Sequence, residues 1–339
     1  MVNLDSLKLQ FHRDLAVVDY ANYRKKNEEI DNDIDTNGIS PTITSYKLRN
    51  KHKRTGLKEI EVKENYCSID FSSKLIPELY QQMITVDTIE QFLTELNNTG
   101  LICFNVPDII NNSTVRTCDI TNNMIVDNVA TYVNATAVFK INDKYNFKYW
   151  QNESVQFERK VKTASFREHL TIYNKLPELL TAKNKAFRTG IDLNYFKNVL
   201  RIESKFMNHE LIRKSFEIPD NNLMNILNSS AKVNYKLFCR LTDIKNTDIQ
   251  KFNNYKTLTE MKQKIPYSKI RNVQGDLSIL DACNNDIDLV KLFFMINSTA
   301  NNSKYIRHMK ELLKAKHEIE SKNNIDDKVI EMKQFLKNA

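Results

Sequence analysis

The chain has 339 residues, of which 41% are hydrophobic and 27% are charged, and its formal net charge is +8 at pH 7. This composition is typical of a soluble globular protein that buries a sizeable core, and the length allows two or three domains. No apolar run approaches a membrane span and the N-terminus lacks the apolar core of a signal peptide, so we expect a cytoplasmic protein with no membrane partner. The positive charge favours nucleic acid as a partner.

The spacing of the cysteines and histidines argues against a zinc site. The five cysteines include no Cys-x-x-Cys pair, and the six histidines include no His-x-His or His-x-x-x-His pair. Zinc sites and disulfide frameworks normally use such ligand spacings or an even number of cysteines. We therefore expect free thiols, and any metal ion must be held mainly by carboxylates.

Alternating apolar and polar residues predict strands in the first third of the chain. Residues 3–11 alternate loosely, and residues 66–72 alternate clearly, with Asp70 on their polar face. Successive side chains of a strand point to opposite faces, so each stretch has one face suited to a core. Apolar residues at helical spacing then predict a helix over residues 85–97, which Gly100 ends.

Two further strands and a helix are predicted in the middle of the chain. Residues 115–121 alternate, and their polar face carries Asp119, which is informative because acidic residues are disfavoured within strands. Residues 125–138 favour a helix, and residues 155–163 alternate like a strand with a basic polar face. Strands with one polar and one apolar face are typical of an antiparallel sheet that packs on a core through one side.

The stretch that begins at His169 changes from strand to helix. It alternates up to Lys175, with Tyr173 and Lys175 on the polar face, and residues 176 to about 187 then predict a helix. A phenol two residues from an ammonium on one strand face has two interpretations. The two side chains either lie on a solvent-exposed sheet surface, or the phenol is a nucleophile and the ammonium beside it binds phosphate.

The last predicted strand covers residues 198–206. Its polar face carries Arg201, Glu203 and Lys205, and the periodicity beyond residue 211 is helical nearly to the end of the chain. We place a domain boundary near residue 220.

Together these patterns predict an α+β protein. Residues 1–220 would form an antiparallel sheet with helices on one face, and residues 221–339 a helical domain that binds DNA or a partner protein. The polar faces of four strands would then gather carboxylates, a phenol and cations on one side of the sheet.

Such a gathering of side chains suits chemistry on a phosphodiester. Converging carboxylates repel one another unless a cation joins them, and oxygen ligands suit Mg²⁺ or Mn²⁺. Tyr173 would be the nucleophile. A phenol with a pKa near 10 is only about 0.1% ionised at pH 7, so its activation needs roughly 4 kcal/mol of differential stabilisation. Lys175 and a metal ion could supply that charge.

Several short motifs, in this order, resemble the phage and plasmid replication protein family, which includes the rolling-circle initiators of filamentous phages. The main ones are Val115-Arg-Thr-Cys-Asp-Ile-Thr121, Leu170-Thr-Ile-Tyr-Asn-Lys-Leu-Pro-Glu-Leu179 and Val199-Leu-Arg-Ile-Glu-Ser-Lys205. Residues 68–89 also look like the N-terminal part of that family, and residues 302–313 are similar to its helical tail.

The resemblance implies a metal-dependent endonuclease that nicks and rejoins one DNA strand at a replication origin. Tyr173 occupies the position of the nucleophile and would form a 5′-phosphotyrosyl bond, leaving a 3′-hydroxyl that primes a host polymerase. Asp119, Glu203 and, more loosely, Asp70 match the metal-binding positions, and Lys175 matches the cation after the tyrosine. The His-hydrophobe-His metal motif of other rolling-circle initiators is absent from this sequence. The implied partners are single-stranded or supercoiled origin DNA and a host polymerase and helicase.

Alternative interpretations remain open from the sequence. The polar sheet face would hold DNA without cutting it in a non-catalytic origin-binding protein, and a mobilisation relaxase or transposase-like nuclease would use the same tyrosine chemistry. Tyr145 and Tyr149 are the fallback nucleophiles. The candidate DNA contacts are Arg201, Lys205, Lys160, Lys162 and Arg307.

Overall fold

A computed structural model describes residues 2–29, 42–52, 54–150, 152–163, 168–243, 270–297, 303–322 and 325–339. The strands are β1 (Leu4–His12), β2 (Ala16–Val18), β3 (Tyr23–Glu29), β4 (Thr42–Leu48), β5 (Leu57–Val62), β6 (Tyr66–Ser72), β7 (Ile102–Phe104), β8 (Thr114–Ile125), β9 (Tyr145–Trp150), β10 (Ser154–Arg159), β11 (His169–Asn174) and β12 (Val199–Phe206). Ten of them form one antiparallel sheet in the order β3-β4-β5-β6-β1-β8-β12-β11-β10-β9, and β2 pairs with β7.

Helices occupy most of the remaining described chain. They are α1 (Ile89–Asn98), α2 (Val106–Asn112), α3 (Val129–Ala137), α4 (Lys175–Leu179), α5 (His209–Phe216), α6 (Leu223–Leu227), α7 (Val233–Leu241), α8 (Ile270–Ala282), α9 (Ile287–Asn297), α10 (Ser303–Lys322) and α11 (Ile325–Asn338). The predicted combination of a large antiparallel sheet with helices is therefore confirmed. No helix in the described part of the chain is long and apolar enough to cross a membrane.

The apolar face of the sheet carries the main core. Leu9 and Ile69 pack in one buried cluster with Phe92 of α1, and Ile202 packs in a second buried cluster with Phe238 of α7. Each large apolar side chain buried in this way contributes about 1.5–3 kcal/mol to folding. The alternation in the sequence thus determines which face of each strand meets the helices.

The polar face of the sheet is also partly covered, which the sequence did not predict. Short 3-10 turns lie between residues 73 and 79 and between 182 and 198, and Lys74 of the first group and Asn184 of the second contact Glu178 of α4. Tyr80, Leu179 and Phe196 form a small apolar cluster there, and the ring of Tyr80 lies against the buried guanidinium of Arg201. One end of the polar face is therefore enclosed.

Two predicted elements are shorter than expected. The helix predicted over residues 176–187 ends at Leu179, because the side-chain amide of Asn184 donates a 2.8 Å hydrogen bond to the carbonyl of Glu178 and takes the place of a further helical turn. The strand predicted over residues 155–163 ends at Arg159. The sequence pattern also did not predict strands β2, β7 and β9.

The helices that follow β12 divide into two groups. Val233 and Leu237 of α7 and Met332 of α11 are buried in the clusters that cover the sheet. Helices α8, α9 and α10 instead share a small core of their own, which includes Leu280 and Met309. The boundary placed near residue 220 stays a prediction, although helices from both sides of it cover the same sheet.

Candidate active site

The four polar strand faces predicted from the sequence lie on one side of one sheet. Directly paired residues of antiparallel strands share a face, and Tyr173 of β11 pairs with Arg201 of β12. Glu203 lies two residues further along β12, and its neighbour Lys205 pairs with Asp119 of β8. Strand β1 lies between β8 and β6, so the face continues to Asp70, which pairs with Lys8.

The hydroxyl of Tyr173 faces a carboxylate and an ammonium. It donates a 2.8 Å hydrogen bond to Oε2 of Glu203, and Nζ of Lys175 lies 3.4 Å from the hydroxyl oxygen of Tyr173. Burial, together with the charge of Glu203, raises the pKa of Tyr173 well above its usual value. Burial and then the nearby carboxylate of Asp5 raise the pKa of Glu203. The ground state is thus a neutral phenol with a proton acceptor already in hydrogen-bond contact.

Lys175 reaches the phenol from a helix and not from the strand. The side chain of Asn174 caps α4 by accepting a 3.2 Å hydrogen bond from the backbone N–H of Leu176, so β11 ends at that cap. The ammonium of Lys175 is buried and lies 2.8 Å from Oε2 of Glu178. Burial and the charge of Arg201 lower the pKa of Lys175 to about 8. Its charge therefore changes as the pH passes through about 8.

Arg201 was expected on the surface as a DNA contact, and the structure corrects this prediction. Its side chain is 0% exposed. Nε donates a 2.9 Å hydrogen bond to Oδ1 of Asn123, and NH1 lies 3.4 Å from Oδ1 of Asp5. The turns around Tyr80 cover this end of the polar face, which removes Arg201 from solvent. It acts as an internal counter-charge for the carboxylates around Tyr173.

Asp5 is a residue of this site that the sequence interpretation missed. A break in register between Leu4 and Ser6 marks a β-bulge in β1, and bulges re-aim side chains beside functional sites. Burial alone would raise the pKa of Asp5, but the charges of Arg201 and Lys175 outweigh burial and lower it to about 2. The spacing of Leu4 and Leu7, which breaks the two-residue period, was the available signal in the sequence.

Asp119 and Glu203 are diagonal neighbours on β8 and β12. Their backbones are about 7–8 Å apart, a distance at which their side-chain carboxylates can approach each other. Burial and the charge of Glu203 raise the pKa of Asp119 to about 7, and a cation between the two carboxylates would offset this repulsion. Mg²⁺ commonly binds through one or two carboxylates plus substrate phosphates, so this pair fits such an ion. Within the described ranges, no group of three or more His, Cys, Asp or Glu side chains is placed to hold a metal.

Asp70 does not join that pair, which corrects its prediction as a third ligand. It lies on β6, two strands from β8 and two residues further along the strand direction, about 12 Å from the backbone of Asp119. Its carboxylate lies 3.5 Å from the ammonium of Lys58. A single ion between Asp119 and Glu203 is therefore out of its reach.

The remaining predicted DNA contacts are exposed, and two of them, Lys160 and Lys162, lie far from Tyr173. Lys205 lies beside the site, opposite Asp119. Tyr173 pairs with the first residue of β10, whereas Lys160 and Lys162 follow its last residue, about 20 Å further along the strand direction. Arg307 lies on α10, which packs with α8 and α9.

The fallback nucleophiles lie on the opposite face of the sheet. Tyr145 is buried against Phe157, and the ring of Tyr149 stacks on that of Phe147. The hydroxyl of Tyr149 donates a 2.6 Å hydrogen bond to Oδ1 of Asn134 on α3. Their placement separates both tyrosines from the carboxylates that surround Tyr173.

Comparison with protein-family models and with curated proteins finds no relative of this chain. No protein-family model matches it, and no curated protein matches it. The arrangement of the polar side chains and the short motifs that contain them are therefore the basis of the functional assignment.

Proposed function

We propose that this protein is a rolling-circle replication initiator that cuts one strand of DNA through Tyr173 and rejoins the displaced strand. The observation that carries the proposal is the Tyr173 hydroxyl, which is hydrogen-bonded to Glu203 at 2.8 Å and lies 3.4 Å from the ammonium of Lys175. A nucleophile, a proton acceptor and a cation within contact of one another are the parts that transesterification of a phosphodiester requires. The proposal includes a replication-initiator nuclease fold for the sheet and membership of the phage and plasmid replication protein family.

The chemical step follows from these contacts. The oxygen of Tyr173 attacks the scissile phosphorus while its proton passes to Oε2 of Glu203. The bond between phosphorus and the 3′-oxygen breaks, which leaves a 5′-phosphotyrosyl ester and a 3′-hydroxyl that takes up a proton. Lys175 and the buried Arg201 lie close enough to offset the negative charge that develops. The ester retains the energy of the broken bond, so a 3′-hydroxyl can reverse the step without ATP.

Asp119 and the second oxygen of Glu203 are the groups that would hold Mg²⁺ or Mn²⁺. When bound, such an ion polarises the phosphodiester and offsets charge on its oxygens. The basic net charge and the exposed Lys205 support a DNA substrate, and the released 3′-hydroxyl suits a host polymerase and helicase in the cytoplasm.

The test is covalent attachment to DNA. Single-stranded oligonucleotides that tile the DNA element encoding the chain are labelled at the 3′ end, mixed with protein and Mg²⁺ or Mn²⁺, and resolved on a denaturing gel. We expect the wild-type protein and the Tyr149→Phe control to form a labelled adduct. Tyr173→Phe should form none and should still bind the oligonucleotide, because it lacks a single hydroxyl.

Two results would contradict the proposal. An adduct that persists in Tyr173→Phe would place the nucleophile elsewhere. DNA binding without any adduct, under either metal and with every oligonucleotide, would favour the non-catalytic origin-binding protein.

A further inference from the structure

The only tryptophan of the chain lies in the same cross-strand row as the candidate nucleophile. Trp150 of β9 pairs with Ser154 of β10, and Ser154 pairs with Tyr173 of β11. Directly paired residues share a face, so the indole and the phenol project from the same side of the sheet. Two strand spacings separate their backbones, which is about 10 Å.

Exposure rises along this row from β12 to the edge of the sheet. Arg201 is fully buried, Tyr173 and Ser154 are half-buried, and Trp150 is 49% exposed. The turns that cover Arg201 lie at one end of the row, and β9 ends the strand order at the other. The row is therefore more exposed on the Trp150 side of Tyr173 than on the Arg201 side, and Ser154, with its small side chain, is the paired residue between the two aromatic residues.

Another residue of β9, Lys148, adds a positive charge beside Trp150. Lys148 lies two residues from Trp150, so it shares the face of the indole, and it is exposed. Tyr149, between them, points to the helix-covered face and bonds to Asn134. An exposed aromatic ring with a lysine beside it combines the two features by which proteins hold single-stranded nucleic acid: a surface for stacking and a contact for phosphate.

We infer that Trp150 stacks on an unpaired base next to the scissile phosphate and that Lys148 binds a flanking phosphate. The site would take single-stranded DNA in preference to duplex, because a paired base within a duplex has no accessible face for the indole. This inference deepens the proposed function, on which its biological meaning rests, although the binding itself can be measured without any cutting.

Fluorescence gives a direct test, since all tryptophan emission from this chain comes from Trp150. The full-length Tyr173→Phe protein, which lacks the proposed nucleophile, is titrated with an oligothymidylate of about 12 nucleotides, a length within the usual range of such sites. We expect saturable quenching of the emission, and weaker quenching by a duplex of the same length. No quenching by the single strand, or equal quenching by the duplex, would overturn the inference.

Variants on the two faces of β9 provide the matched comparison. Affinity is measured through the anisotropy of a labelled oligonucleotide, with circular dichroism as the check on folding. Trp150→Ala should weaken binding by about 5- to 150-fold, and Trp150→Phe should retain most of the affinity because it keeps a ring. Tyr149→Ala removes a similarly exposed ring from the other face and should leave binding unchanged. Equal affinity of Trp150→Ala and the wild-type protein would overturn the inference.

The two proposals fail in different ways. The stacking site would be supported and nicking rejected if DNA quenches the emission of Tyr173→Phe and Trp150→Ala binds DNA more weakly, while the wild-type protein forms no covalent adduct. The stacking site would be rejected and nicking supported if Trp150→Ala forms the adduct at the wild-type rate and DNA does not quench the emission of Tyr173→Phe.

Discussion

Arg201 neutralises the carboxylates closest to the candidate nucleophile. Its guanidinium is fully buried and lies 3.4 Å from Asp5. Removal of one partner from a buried ion pair leaves the other charge in a poorly solvated place and typically costs about 3–5 kcal/mol. We therefore expect Arg201→Met to lower the free energy of unfolding by about this amount in urea denaturation. Lys205→Met, on the exposed part of the same strand face, should change it by less than about 0.5 kcal/mol. Equal effects of the two substitutions would reject this role for Arg201.

Lys175 gives the proposed reaction a pH limit. Its pKa is lowered to about 8, mainly by burial, so its charge is lost as the pH rises through that value. Adduct formation should increase with pH as Glu203 loses its proton and fall above about pH 8. Lys175→Arg should remove the alkaline fall, because guanidinium keeps its proton beyond about pH 12. The measurement is the initial rate of adduct formation against pH, and an unchanged fall in Lys175→Arg would contradict the assignment.

Titration of Lys175 does not itself favour unfolding at alkaline pH. Between about pH 8 and the usual lysine value of 10.5, the unfolded chain keeps the Lys175 proton and the folded chain loses it. The unfolded state then binds more protons, so this residue makes the folded state more stable as the pH rises. Unfolding that is driven by Lys175 therefore does not account for a fall in rate over this range, and circular dichroism at the same pH values checks that the protein stays folded.

Strand alternation was sufficient to predict which residues of the site share a face. Tyr173, Glu203 and Asp119 were placed together because a period of two fixes side-chain direction along each strand. Burial was not predictable in the same way, since the turns that cover Arg201 come from distant parts of the chain. Asp5 was missed because a bulge interrupts the period.

At the level of elements, tertiary contacts explain what the local pattern left out. The predicted helix after residue 175 is short because Asn184 ends it, and β9 was not recognised as a strand because its aromatic residues suit either a core or a surface. Strands β1, β6, β8, β11 and β12 were predicted because each has one buried and one polar face.

Helix α11 provides a test of how the C-terminal residues stabilise the sheet. Met332 is fully buried among residues of the sheet and α3, whereas Ile330 on another face of the same helix is 50% exposed. Met332→Ala should lower the free energy of unfolding by about 2–5 kcal/mol, the usual cost of a cavity in a core. Ile330→Ala removes a similar volume from the surface and should cost less than about 0.5 kcal/mol. Urea denaturation measures both, and equal costs would show that α11 does not dock in this way.

At the scale of the whole molecule, the sheet and its covering helices come from both ends of the chain. Helix α7 contributes Val233, Leu237 and Phe238 to the buried clusters, and α11 contributes Val329 and Met332. Each of these side chains adds about 1.5–3 kcal/mol when buried. Their sum is comparable to the total stability of an ordinary domain, which is about 5–15 kcal/mol. We therefore expect the stability of the sheet to depend on residues beyond 220.

We accordingly expect a fragment of residues 1–220 to lack a cooperative unfolding transition. A chain from which residues 270–322 are removed should keep one, because α8, α9 and α10 bury a core of their own and α11 is retained. Both are compared with the full chain by urea denaturation, monitored through the emission of Trp150 on the sheet. If the deletion also retains covalent attachment to DNA, the exposed Arg307 on α10 is not needed for cutting. A fragment of residues 1–220 that unfolds cooperatively would instead establish residue 220 as a domain boundary.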